Sequence, residues 1–117
     1  MATHNETGKK GEEMAVSWLT SQGFEVLHRN WRYLKSEIDI IACKNQVVHI
    51  VEVKTSRSLR FGFPEERVTK RKMQMMMKAG AHFLARNQQW RRIQYDILSI
   101  CIQKFNTPAF FLIEDVY

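Results

Sequence analysis

Two short apolar runs, separated by a polar break, constrain the fold of this chain more than any other feature. The first run is Glu37–Cys43 (EIDIIAC) and the second is Val47–Lys54 (VVHIVEVK). Both are rich in β-branched residues, and two such runs joined by a short polar segment predict a β-hairpin. Each run is apolar enough to be buried on both faces, which is typical of central strands covered by helices.

Charged residues recur within these runs at a spacing of two. Because side chains alternate between the faces of a strand, Glu37 shares a face with Asp39, and Glu52 shares one with Lys54. With Asn45–Gln46 as the tip of the turn, Asp39 lies opposite Glu52 and Glu37 lies opposite Lys54. Like charges directly opposed across a hairpin are destabilising, so the two carboxylates need a cation or a shared proton. A register shifted by one residue would instead separate them onto opposite faces.

Composition limits the size of the protein and the class of its partners. The chain has 117 residues, 44% of them hydrophobic, which predicts a single domain spanning residues 1–117 with a modest core. Lys and Arg number 18 against 12 Asp and Glu, and the net charge of +6 favours a polyanionic partner such as nucleic acid. Cys43 and Cys101 lie in apolar runs, so we expect buried thiols rather than a disulfide or a metal site.

The sequence contains no targeting or membrane signal. Its first residues are polar and lack the apolar segment of a secretory signal, and no apolar run approaches the roughly 20 residues of a membrane span. We therefore expect a cytoplasmic protein with no membrane association.

The first helix is predicted to begin near Asn5–Gly8 and to end before Gly23, because glycine is a common helix stop. Its apolar stripe, at about 100° per residue, turns Glu12 toward the core and Glu13 toward solvent. Glu12 is therefore a third carboxylate that faces the interior.

The remaining elements follow from periodicity and turn residues. The predicted segments are a strand over Phe24–His28, the hairpin, a helix from the N-cap Thr69 to about Asn87, and strands over Arg92–Gln103 and Ala109–Ile113. Methionines at helical spacing in the second helix, Met73, Met76 and Met77, are expected in the core. The order αβββαββ predicts an α/β fold with a central mixed sheet of about five strands flanked by helices.

Cationic residues cluster in the segment after the hairpin and in the second helix, and Arg32 precedes the hairpin. The segment Thr55–Pro64 lacks periodicity, and loops of this length are often functional, so this one is a candidate to close over a polyanion. The second helix carries a run of lysines and arginines on its polar face, although such a run is usually only a solvated surface. The candidate nucleic-acid contacts are Arg32, Arg57, Arg60, Lys70, Arg71 and Lys72.

Taken from the residues alone, the charged positions leave two interpretations open. Carboxylates buried in apolar strands are costly unless they are paired, protonated or metal-bound. Glu12, Asp39 and Glu52 therefore form either a hard-cation site or a structural cluster in which Glu37 pairs with Lys54 and arginines compensate the charge.

A set of short motifs extends over nearly the whole chain: Gly8–Ala15 (GKKGEEMA), Gly23–Leu27 with Asn30–Arg32, Glu37–Ala42 (EIDIIA), Val51–Thr55 (VEVKT), Val68–Lys72 and Tyr95–Ile97. Together these motifs resemble the YraN-like family of predicted endonucleases. That family is similar to the PD-(D/E)XK nuclease superfamily, and to archaeal Holliday-junction resolvases in particular. The resemblance implies a restriction-endonuclease-like fold.

The resemblance also implies roles for individual residues. Asp39 and Glu52 match metal-binding carboxylates for Mg²⁺ or Mn²⁺, and Lys54 matches the catalytic lysine. Glu12 matches the helix glutamate that completes the site, by holding a second metal ion or a water molecule. Lys54 is then expected to point into the site, with Glu37 as a supporting neighbour.

Two positions depart from the family pattern. Ile38 stands where the superfamily name has proline, and Ser36 stands where the family usually has glycine; neither change removes a ligand. No histidine is required as a base, so His4, His28, His49 and His82 are interpreted as structural or surface residues.

The implied function is metal-dependent endonucleolytic hydrolysis of phosphodiester bonds in DNA, with branched DNA among the candidate substrates. A role in resolving junctions would require two active sites and hence a homodimer. The alternatives are a nucleic-acid-binding module that uses the same fold without cutting, and a protein-interaction module.

Overall fold

The computed structural model describes residues 4–57, 69–102 and 107–116, with side chains from Lys9 onward. The elements are α1 (His4–Ser21), β1 (Glu25–Tyr33), β2 (Ser36–Lys44), β3 (Val47–Ser56), α2 (Lys70–Arg86), β4 (Arg92–Cys101) and β5 (Ala109–Ile113). The predicted order αβββαββ is therefore confirmed. No helix in these ranges is long and apolar enough to cross a membrane.

The five strands form one mixed sheet in the order β1-β2-β3-β4-β5. Neighbouring strands are antiparallel except β3 and β4, which are parallel. The connection between these two strands contains α2. The helices cover both faces: Ala15 and Leu19 of α1 pack in one core cluster, whereas Met76 and Phe83 of α2 pack in another. This architecture confirms the α/β prediction and is consistent with a restriction-endonuclease-like fold.

The central hairpin has the predicted register. Backbone pairing of β2 with β3 extends from Lys44–Val47 to Ile40–Val51. Asn45 and Gln46 have φ angles of 52° and 66°, and positive φ at both central residues defines a type I′ turn, which matches the twist of the flanking strands. The register shifted by one residue is thereby excluded.

Strand β1 is longer than predicted. The predicted strand over Phe24–His28 was wrong in extent, because β1 pairs with β2 as far as Tyr33–Ser36. The basic, aromatic segment before the hairpin is therefore part of the sheet. The turn that follows contains Leu34, whose φ of 56° is left-handed.

Other boundaries agree with prediction to within a few residues. Thr69 is the N-cap of α2 and Asn87 is its C-cap; β4 ends at Cys101 rather than Gln103. Met76 is buried as expected, but Met77 is 47% exposed and is not a core residue. The predicted loop over Thr55–Pro64 is wrong at its start, since β3 continues to Ser56, and its residues 58–64 lie outside the described ranges.

Both cysteines are buried, and neither forms a disulfide. Cys43 lies in β2 and Cys101 ends β4, both within the sheet. The expectation of buried thiols is confirmed.

Candidate functional site

The candidate site lies where strands β2 and β3 separate. Their backbone pairing ends at Ile40–Val51, and beyond that point Asp39 Oδ2 accepts the backbone N–H of Val53 at 2.9 Å. Ile38 and Ile40 pack in different core clusters, on the α2 and α1 sides respectively, so the strict alternation of faces is lost at Asp39. The side chain of Asp39 thus bridges the two strands at the end of their ladder.

Glu52 is the most buried carboxylate of the site, at 6% exposed. Its Oε1 atom lies 3.7 Å from Lys54 Nζ and 3.5 Å from Lys72 Nζ. Its Oε2 atom is buried and has no hydrogen-bond partner among the described residues. A buried, unsatisfied acceptor typically costs about 1–3 kcal/mol, and more when it is charged. This oxygen is the clearest structural sign of a position that suits a cation.

The electrostatics of Asp39 agree with that interpretation. Burial, followed by the neighbouring Glu52 carboxylate, raises the pKa of Asp39 to about 7, whereas the Val53 N–H and Lys72 oppose the rise. Two carboxylates held this close favour either a proton or a positive ion between them. This is the requirement that the hairpin register predicted.

Glu12 approaches the same place from α1. It is partly buried while Glu13 is exposed, which confirms the predicted orientation of the helix. Burial and the nearby Asp39 raise the pKa of Glu12. A Cβ on Gly11 would overlap the hydroxyl of Thr55, so glycine is needed where α1 approaches β3 this closely. That approach sets the position of Glu12.

Asn30 links two of the acidic side chains and was not identified from the sequence. When its amide is oriented to satisfy its hydrogen bonds, Nδ2 donates to Glu37 Oε1 at 2.7 Å and lies 3.3 Å from each Glu12 carboxylate oxygen. Asn30 has a φ of 51°, a left-handed conformation that asparagine tolerates better than most residues. The Asn30–Arg32 motif marked this residue as notable in the sequence. The residues around it gave no indication that its side chain contacts Glu12 and Glu37.

Glu37 and Lys54 do not form the pair that the simple register suggested. Lys54 contacts Glu52, and Glu37 contacts Asn30 and, at 3.8 Å, Arg32 Nη2. The contacts place Lys54 toward the buried carboxylates and Glu37 beside Glu12.

Lys72 was considered only as a surface contact for nucleic acid, whereas the structure brings it to the carboxylates. Thr69 Oγ1 accepts the Lys72 backbone N–H at 3.1 Å, which fixes the first turn of α2. From there the Lys72 side chain reaches Glu52. Only the packing of α2 on the sheet establishes this contact, so periodicity could not reveal it.

The other predicted cationic contacts form no ion pair with the carboxylates of the site among the described residues. Arg32 is exposed in β1, and Arg57 is exposed directly after β3. Lys70 and Arg71 are exposed at the start of α2. Arg60 lies outside the described residues.

A second group of potential ligands lies elsewhere, formed by His49, Asp96 and Glu114, whose nearest ligand atoms are all within 4.8 Å of one another. Asp96 Oδ2 lies 2.6 Å from His49 Nδ1, while Asp96 Oδ1 accepts hydrogen bonds from Gln94 Nε2 and the Asp115 N–H, each at 2.9 Å. Both oxygens of Asp96 are therefore already hydrogen-bonded. We interpret this group as a structural clamp that attaches the segment after β5 to the sheet.

The histidines otherwise occupy packing positions, as interpreted from the sequence. His49 makes an edge contact with Phe24, His28 with Phe83, and the ring of His82 lies 4.9 Å from that of Tyr33. The side chain of His4 is not among those described.

The three inward carboxylates offer the oxygen ligands of a hard divalent cation, but their ligand atoms do not lie as close together as those of the group that contains His49, the one group of this kind among the described residues. Glu12, Asp39 and Glu52 come from a helix and two strands, and their oxygens are the ligand type that Mg²⁺ and Mn²⁺ prefer. The unpartnered Glu52 Oε2 and the raised pKa of Asp39, to which Glu52 itself contributes, both fit a positive charge between these two carboxylates.

Comparison with known proteins agrees with the motifs. Residues 11–100 match the model of the family described as "Uncharacterised protein family UPF0102". The chain is 41% identical over 100 residues to a UPF0102 protein of Flavobacterium psychrophilum, covering 86% of this chain and 84% of the relative. It is 37% identical over 116 residues to one of Phocaeicola vulgatus, covering 99% and 93%. The YraN-like resemblance is thereby confirmed, and the chain belongs to protein family UPF0102.

Proposed function

We propose that this protein is a metal-dependent phosphodiesterase that cuts DNA endonucleolytically, with branched DNA among its candidate substrates, and that it acts in the cytoplasm. One observation carries the proposal: Glu52 presents a buried, unpartnered oxygen beside Asp39 while two lysines approach its other oxygen. The site thus combines carboxylates, which bind cations, with the amines of Lys54 and Lys72, which can bind a phosphate. Metal-dependent hydrolysis of a phosphodiester requires this combination.

Each residue has a defined task in this proposal. Asp39 and Glu52 would hold Mg²⁺ or Mn²⁺, and Glu12 would complete the site by holding a second metal ion or a water molecule. The cation supplies Lewis-acid polarisation of the phosphate and lowers the pKa of water. Lys54 orients the attacking water or offsets negative charge that develops on the phosphate, and Lys72 adds a second positive charge nearby.

The surrounding contacts support a preorganised site. The Val53 N–H fixes one oxygen of Asp39, and Asn30 holds Glu12 and Glu37 together. Outer contacts that orient metal ligands commonly affect metal affinity or activity by 10–100-fold when removed. Here they keep Glu12 beside Asp39 before any ion or substrate binds.

The second candidate function is nucleic-acid binding without cleavage. It is favoured by the net charge of +6 and by the exposed cations of α2, which would bind a polyanion whether or not the carboxylates hold a metal. If the substrate is a four-way junction, we propose a homodimer, because two strands must be cut.

The test is a cleavage assay with purified protein on single-stranded, duplex, flap and four-way-junction DNA, with Mg²⁺ or Mn²⁺. We expect cleavage of at least one substrate and a loss of about 10²-fold or more in rate for Lys54→Ala, the typical effect of removing one electrostatic contact to the transition state. The matched control is Glu13→Gln, which removes an exposed charge next to Glu12 and should behave as wild type. Equal inertness of wild type and Lys54→Ala on every substrate would refute the proposal.

Calorimetric titration with Mn²⁺ separates the two candidates. A metal-dependent enzyme should show specific binding that Asp39→Asn abolishes, because one anionic ligand is lost. Salt-dependent binding of DNA that Asp39→Asn leaves unchanged, without cleavage, would favour the binding module.

A further inference from the structure

A cationic cleft adjoins the candidate site on the α2 side. It has a volume of about 510 Å³ and lies between the turn that joins β1 to β2 and the first half of α2. Its polar lining among the described residues is neutral or cationic: Ser36, Thr69, Arg71, Lys72, Gln74 and Lys78. Such a lining suits an anionic phosphate chain rather than a cationic or apolar ligand.

Lys72 connects this cleft to the carboxylates. It lines the cleft, yet its Nζ atom lies 3.5 Å from Glu52 Oε1. A phosphate chain bound along α2 would therefore reach the place where the cation is proposed to bind.

We propose that this cleft binds a single-stranded segment of nucleic acid and leads its backbone to the carboxylates. The inference rests on the proposed function and specifies its substrate class: a flap, an overhang or the opened strand of a branch. The volume is in the range of small-ligand sites and accommodates a nucleotide or two. A cleft of about 510 Å³ does not have room for both strands of a duplex.

Leu34 is an exposed apolar residue close in sequence to the lining of the cleft. It is 83% exposed and lies two residues before Ser36, in the turn between β1 and β2. Its φ of 56° is unfavourable for a bulky residue, by about 1–2 kcal/mol. Strained conformations of this kind cluster at functional positions, and an exposed leucine beside a phosphate track suits stacking against an unpaired base.

The experiment measures binding without cleavage, by fluorescence polarisation with Ca²⁺ replacing Mg²⁺. The probes are a labelled single-stranded oligonucleotide and a blunt duplex of the same length. Arg71→Ala/Lys78→Ala is compared with Arg91→Ala/Arg92→Ala. Both double variants lose two positive charges. Arg92 pairs with Val47 of β3, which is five residues, or about 17 Å, along the strand from Glu52. The control charges therefore lie far from the candidate site.

We expect Arg71→Ala/Lys78→Ala, the cleft variant, to bind the single strand at least tenfold more weakly. The salt slope, which is the change of log K with log salt concentration, should fall in magnitude by about 1.4, because each lost phosphate contact on a single strand lowers it by about 0.7. The control variant should lose less than twofold. Equal losses in the two variants, or equal affinity of wild type for the blunt duplex, would overturn the proposal.

Leu34→Gly tests the apolar contact separately. Glycine accepts the left-handed backbone, so the melting temperature should stay the same or rise. Affinity for the single strand should fall about threefold with no change of salt slope, because no phosphate contact is lost. Unchanged affinity would remove Leu34 from the proposal.

The two proposals fail in distinguishable ways. Binding is measured without turnover, so a catalytically inert protein still reports on the cleft. Conversely, cleavage that Lys54→Ala abolishes but Arg71→Ala/Lys78→Ala leaves unaffected would retain the enzyme and reject the cleft.

Discussion

The carboxylate of Asp39 accepts the backbone N–H of Val53 at the point where β2 and β3 cease to pair. One side chain therefore both ends the ladder of the central hairpin and presents a negative charge beside Glu52. The backbone of β3 thus fixes the position of one Asp39 oxygen.

The first prediction concerns pH. The folded-state pKa of Asp39 is raised to about 7, above the roughly 3.9 expected for the unfolded chain. Between these values the folded state binds the proton more tightly, so the contribution of Asp39 to stability is greatest at low pH and is lost as the pH rises. In EDTA, the free energy of unfolding should contain a component that decreases between about pH 4 and pH 7.

Urea unfolding of wild type and Asp39→Asn across this range measures that component. The neutral amide cannot ionise, so the variant should lack it and should exceed wild type in stability at pH 8. Adding Mn²⁺ at pH 8 should raise the stability of wild type alone, since the ion binds only the folded state. Parallel pH curves for the two proteins would contradict the prediction.

The second prediction concerns Gly11. Alanine favours helix formation over glycine by about 1 kcal/mol, but its Cβ would overlap the Thr55 hydroxyl. We expect Gly11→Ala to be destabilising by about 1–3 kcal/mol, as is usual for overpacking, and to weaken Mn²⁺ binding because Glu12 is displaced.

Ser17→Ala is the control for Gly11→Ala, because Ser17 is exposed on the same helix and should change stability by less than about 0.5 kcal/mol. Thr55→Ala should partly restore the stability of Gly11→Ala. A fully additive double variant would show that the two residues do not interact.

The third prediction concerns Lys72. Its ammonium group lies 3.5 Å from Glu52 Oε1, where it competes with any bound cation. Lys72→Ala should therefore bind Mn²⁺ several-fold more tightly by calorimetry at pH 8, while its metal-free form becomes less stable because Glu52 loses a counter-charge. Lys70→Ala, an exposed neighbour, should change neither quantity. Weaker Mn²⁺ binding by Lys72→Ala would show that the lysine assists rather than opposes the ion.

The fourth prediction concerns the His49–Asp96 clamp. Asp96 is fully buried and makes hydrogen bonds with a histidine ring, a glutamine amide and a backbone N–H. Asp96→Ala should be destabilising by about 3–5 kcal/mol, because buried partners are left unpaired. Glu114→Ala, at an exposed position, should be nearly neutral. A rise in melting temperature with Zn²⁺ that Glu114→Ala abolishes would instead identify a metal site.

Local patterns explain why much of the fold could be predicted. The hairpin register followed from β-branched runs and a two-residue turn, and the start of α2 followed from Thr69, whose hydroxyl caps the helix. The predicted orientation of Glu12 was also correct, because the apolar stripe of α1 alone determines which side faces the sheet. Each of these features depends on residues within a few positions of one another.

The extent of β1 could not be predicted in the same way. Arg29, Asn30 and Arg32 give the segment a polar, loop-like composition, yet they lie in a strand because β2 supplies backbone partners on one side. Tertiary pairing overrode local preference there, as it often does for strands.

The sequence by itself therefore determined the order of elements, the central hairpin and the presence of inward carboxylates on α1, β2 and β3. Only the tertiary structure decided which polar side chains meet: Lys72 with Glu52, Asn30 with Glu12 and Glu37, and Asp96 with His49. The physical reason is that periodicity specifies the buried face of each element but not its position along or across its neighbour. Hydrogen bonds and ion pairs between these side chains depend on that position.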